Sequence, residues 1–248
     1  MRHTAAPAVP LLLAAVAACG GPQSAPRLEG AEGTPPAEAT PERRAPTMRT
    51  ATELGEIDKK ETIQTFERLK TSFFQCQKKG LERVEYLEGE VKFFVRIGQD
   101  GNVRWTYLED SNLGDLETER CMLDAITRAR WPKPVGGEAE VRSSTSFEPP
   151  SVRPPATWEI ERVREVLAVE GASTATRCKR GNPGRFHVTA YVRNTSAAEV
   201  PAHGMVQAAG VSVPGKDSDA AAECIVKEVM GWRMPSPGSW AAKVSFDL

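Results

Sequence analysis

The chain has 248 residues, and its 32 lysines and arginines nearly balance 33 aspartates and glutamates, for a formal net charge of −1. That balance excludes a strongly basic nucleic-acid-binding domain, and the length allows one or two ordinary domains once a leader is set aside. Hydrophobic residues at 40% suffice for compact cores, while aromatics at 6% are few and are expected at core or interface positions.

Met1-Arg2-His3 is a weakly basic start, and residues 8–18 form an apolar run centred on Leu11, Leu12 and Leu13. The run is shorter than the roughly 20 apolar residues of a membrane helix and has the dimensions of a secretory signal. It ends Val16-Ala17-Ala18-Cys19-Gly20, which resembles the bacterial lipobox: small residues fit the signal peptidase and the cysteine thiol receives the lipid. Residues 1–18 are therefore read as a lipoprotein signal peptide and Cys19 as the lipidation site, against the alternative of an ordinary signal peptide with a chance cysteine. Each buried methylene of an acyl chain contributes about 0.8 kcal/mol, so a multiply acylated Cys19 anchors the protein to a bilayer. Gly20 after the cysteine, in place of Asp, resembles lipoproteins held at the periplasmic face of the outer membrane.

Residues 19–55 are rich in Pro, Ala, Glu, Thr and Gly and nearly free of large apolar side chains. Such a composition cannot offset its ordering entropy and is expected to be a disordered tether, spanning about 30–35 Å root-mean-square if flexible. The first folded domain is expected over 56–149. Ile63, Phe66, Leu69 or Lys70, and Phe73 recur at helical spacing, predicting a helix over 57–79 that carries Cys76 and stops at Gly80. Val91, Phe93, Val95 and Ile97 alternate with Lys92, Phe94 and Arg96 as in a half-buried strand. Asp100-Gly101 supplies a hairpin turn, and Val103, Trp105 and Tyr107 form the return strand. Ser111 or Asp115 caps a second helix bearing Leu116, Cys121, Met122, Leu123, Ile126 and Ala129, which Trp131-Pro132 ends. A third strand is expected over 141–147.

Residues 150–156 read as a stiff Pro-rich linker, and 157–248 as a second, divergent domain. Its expected elements are a helix over 158–167, a strand over 184–192, a less certain return strand around 200–206, a helix over 217–230 carrying Cys224, and a last strand over 243–246. Asn194-Thr195-Ser196 stands where the first half has its Asp-Gly turn. Cys121 matches Cys224, Trp131 matches Trp232, and Ser146-Phe147-Glu148 is echoed by Ser245-Phe246-Asp247, so the chain reads as a tandem duplication.

With Cys19 set aside, Cys76, Cys121, Cys178 and Cys224 remain, and an exported protein meets an oxidising compartment. Four cysteines permit three pairings; the matched separations of 45 and 46 residues select Cys76–Cys121 and Cys178–Cys224, one bridge and one core per half. No Cys-x-x-Cys pair or histidine ligand spacing favours zinc, and no cofactor is expected.

Seven features together resemble the AgmX/PglI carboxy-terminal domain family, itself similar to the carboxy-terminal domain of TonB. They are Cys76, Gly89-Glu90-Val91, Asp100-Gly101, Ser111-Asn112-Leu113, Cys121, Trp131-Pro132 and Phe147. The resemblance covers about residues 57–149; in the second half it rests on Cys178, Cys224, Trp232 and Phe246. It implies an α+β fold of two tandem α-β-β-α-β domains, each a small antiparallel sheet with helices on one face. It also implies contact with envelope proteins rather than catalysis, with a sheet edge accepting a partner strand. The candidate edge is Val141, Arg142, Ser143, Thr145 and Phe147, which Arg142 and the Ser/Thr run could instead blunt. A second candidate surface is the basic run Arg177, Lys179, Arg180, Arg185 and Arg193, which could dock lipid headgroups or peptidoglycan or be a solvated face. His187 has no acid or nucleophile beside it in sequence and is expected to be an exposed strand histidine.

Overall fold

The computed structural model describes residues 54–148, 152–195 and 202–248. The signal, Cys19 and the expected tether up to residue 53 lie outside the described residues, which fall within one compact unit; Leu54 and Gly55, expected in the tether, instead pair with Glu138. Its architecture is mixed α+β, with two sheets, helices and two disulfides.

Helix α1 (Lys59–Leu81) starts where the Asp58 side chain accepts the Glu61 N–H at 2.8 Å, and Lys78 and Lys79 in its last turn suit the negative end of its dipole. It does not stop at Gly80. A Cβ there would strike Leu87 and the Thr118 hydroxyl, so this glycine permits close packing rather than ending the helix. Phe73 stacks on Phe93 with ring centroids 5.1 Å apart, while Ile63, expected on the buried stripe, is 61% exposed. Strand β1 (Gly89–Ile97) is central in a sheet of order β2-β1-β3, flanked by β2 (Val103–Ser111) and β3 (Ala139–Phe147), both antiparallel to it. Its polar-side residues Phe94 and Arg96 are also buried, because Tyr107, Trp105 and Arg142 lie across them. Asp115, not Ser111, caps α2 (Leu116–Arg128), accepting the Thr118 N–H at 3.2 Å.

The second half repeats the element order with changes. Its opening helix α3 is longer than expected: a continuous run over 160–179 passes through 3₁₀, α and π turns into the regular helix Ala172–Lys179. Strand β4 (Ala156–Trp158) begins inside the expected linker. β5 (His187–Asn194) is followed by β6 (Gly204–Ser212), which lies well beyond the expected 200–206. Its Ala- and Gly-rich sequence has little intrinsic strand preference, and only burial between β5 and the first half makes it one. α4 (Asp219–Val229), the two-residue β7 (Arg233–Met234) and β8 (Ala242–Asp247) complete a sheet of order β4-β8-β5-β6-β7.

Cys76 is bonded to Cys121 and Cys178 to Cys224, as the spacing predicts. The cores are not separate, however. Tyr191, Ala208 and Ala241 of the second half belong to the first core, and Tyr107 and Leu116 of the first pack against the second. The Tyr191 hydroxyl donates to the Glu88 carbonyl at 3.1 Å, as does Lys243 Nζ at 2.8 Å, and the Val213 N–H donates to the Leu108 carbonyl at 3.0 Å. Burial pulls Lys243 down to about 8.

Candidate functional site

β3 is an edge strand. The Gly55 N–H donates to the Glu138 carbonyl at 2.8 Å on the side away from β1. The β1–β3 register runs without a bulge, so strand alternation turns the main-chain groups of Glu140, Arg142, Ser144 and Ser146 toward the same open side. Among the described residues, no segment pairs with Ala139–Phe147 there. Val141, Ser143, Thr145 and Phe147 face the helices, half-buried, and Arg142 faces outward. The Arg142 side chain does not reach over the edge: its guanidinium lies 4.7 Å above the Phe94 ring and donates to Glu109 at 2.9 Å, back across the sheet. The Arg142 side chain is thus held on the face of the sheet rather than along its edge.

A polar cleft of about 580 Å³ opens where the halves meet, lined by Glu90, Lys92, Asp110, Arg185, His187 and Ser212 among others. Contrary to the sequence expectation, His187 has an acid: its Nδ1 lies 2.8 Å from Asp247 on the neighbouring strand, and Arg185 holds the other Asp247 oxygen at 2.8 Å. Burial pushes the Asp247 carboxyl up, but hydrogen bonds from Arg185 and His187 outweigh it and hold it below the usual range. Ser212 stands opposite His187 in the ladder. Lys92 is paired with Asp110 at 3.2 Å.

The basic run does not form a free patch. Arg177 pairs with Glu228 at 2.5 Å, Arg185 with Asp247, and Arg193 with Glu85 at 3.6 Å, while Lys179 Nζ donates to the Leu248 main-chain oxygen at 3.1 Å. Arg180 is exposed in a left-handed conformation at the end of α3. Acids that are distant in sequence pair with three of the five cations, and a main-chain oxygen takes a fourth.

Glu119 escaped the sequence reading although it shares the buried face of α2 with Met122 and Ile126, a carboxylate at core spacing. It accepts from the Ser111 hydroxyl at 2.7 Å and from the Val211 N–H of β6 at 3.2 Å, and burial raises its pKa. It ties the halves together from inside. Comparison with protein-family models, curated proteins and solved structures finds no match for this chain.

Proposed function

We propose that the protein is a lipid-anchored periplasmic adaptor of the outer membrane, made of two TonB-like α+β halves that bind envelope proteins without chemistry. Cys19 carries the anchor, the tether holds the folded part away from the bilayer, and the edge of β3 accepts an extended segment of the partner. The single observation that supports the binding role is the row of outward main-chain groups from Glu140 to Ser146, which no described segment covers. A strand added there gains main-chain hydrogen bonds irrespective of its sequence. The paired charges of the basic run favour a protein partner over an acidic glycan or lipid surface.

The test is photo-crosslinking in intact cells from a reactive residue at position 144, with fractionation of wild type and Cys19→Ser. The expected result is a protein adduct from wild type in the outer-membrane fraction and release of Cys19→Ser from it. Soluble wild-type protein removes the anchor; a lack of adducts at position 144 removes the edge.

A further inference from the structure

The second sheet already holds what the first lacks. β8, like β3, lies beside its sheet's long hairpin, yet β4 covers its outer side in parallel, with Ala156 opposite Ala242 and Trp158 opposite Val244. The Ala156 N–H donates to the Ala241 carbonyl at 2.9 Å. Trp158 is half-buried against the second core. Aligning Phe246 on Phe147 places Ala241 on Arg142 and Val244 on Thr145. In the first half, the segment just ahead of α1 also runs parallel, but Leu54 reaches only Glu138. Among the described residues, the place that β4 fills in one half is open in the other.

An apolar wall borders that place. Successive helical residues turn by about 100°, so with Phe73 facing β1 and Cys76 turned toward α2, Ile63 and Phe74 fall on the flank away from α2. They are 61% and 60% exposed. α1 begins beside the start of β3, where Glu56 pairs with Val135, and its later turns meet Leu87, close to the Gly89–Phe147 pair at the strand's end. Phe74 is about 22 Å along α1 and Thr145 about 20 Å along β3, so the two are level.

Resting on the edge reading proposed above, we infer that the accepted strand runs parallel to β3 and carries a bulky apolar side chain beside Thr145, which Phe74 selects. The occupant is an extended protein segment with the small-polar-aromatic pattern of Ala156-Thr157-Trp158. Its backbone completes the sheet, and its third side chain covers α1's exposed flank.

The test uses the full chain and a fluorescent peptide of residues 153–162, which contains β4, read by anisotropy. Replacing the peptide's tryptophan by serine, or making Phe74→Asp in the protein, is expected to lower affinity about tenfold, the scale for loss of a buried anchor. Ser144→Pro removes an outward N–H without touching the β1 ladder and is expected to abolish binding of either peptide. If Ser144→Pro abolishes binding while the serine peptide and the Asp variant bind as well as the originals, the selection by α1 is wrong and the edge stands. If Ser144→Pro changes nothing, the edge itself is wrong. Failure of the tryptophan peptide to bind folded wild type at millimolar concentration overturns the inference.

Discussion

Glu119 on α2 accepts the main-chain N–H of Val211 on β6 at 3.2 Å, so a side chain of one half satisfies the backbone of the other. The carboxylate is fully buried, and burial is the chief cause of its raised pKa, outweighing the hydrogen bonds from Ser111 and Val211. The folded chain therefore keeps its Glu119 proton at pH values where the unfolded chain, near 4.3, has lost it. The stability this provides is fully present below the unfolded value and is lost as pH rises through the folded one. Glu119→Gln keeps an acceptor for Val211 and a partner for Ser111 without the titration. Its stability relative to wild type should rise with pH from about 4 upward, checked by urea denaturation across pH. A pH-independent difference would mean that Glu119 ionises alike in both states.

Gly210 lies against that same carboxylate, where an added Cβ would collide with both oxygens. Gly210→Ala should cost about 1–3 kcal/mol, the range for overpacking a filled core. In a Glu119→Ala background the methyl group enters the vacated space. The double mutant should then fall short of the additive loss by about 0.5–3 kcal/mol, measured as a thermodynamic cycle. Strict additivity would show that the two residues do not meet in solution.

Cys121→Ser opens the Cys76–Cys121 loop, whose closure should contribute about 4 kcal/mol. Separate cores would confine that loss to the first half. Because Tyr191 and Ala208 are members of the first core, and Tyr107 packs on the second, both halves should melt together at a lower temperature. Calorimetry distinguishes the cases: one shifted transition is expected, and two resolved transitions would show that the shared core does not couple them.

Local chemistry was enough to read much of this fold. The Asp100-Gly101 turn, the strand over Val91 to Ile97 and the Asp115 cap each depend on neighbours in sequence, and each is present, although both faces of that strand are buried; the matched cysteine spacing gave the two bridges. β6 was misplaced because Ala208, Ala209 and Gly210 have no strand preference of their own; the pressure that makes them a strand comes from β5 and from the first half, where Glu119 is 92 residues from Val211. The basic run looked free for the same reason, since its acids, Glu85, Glu228 and Asp247, come from other elements.

By itself, then, the sequence determined most of the elements and the two bridges, because these follow from short-range propensity and a countable set of thiols. Only the tertiary structure decided which edge is left open among the described residues. β3 and β8 end in the same Ser-Phe, yet β4 reaches β8 while Leu54 stops at Glu138. That choice depends on where a preceding segment docks in space, a long-range contact that no local pattern encodes.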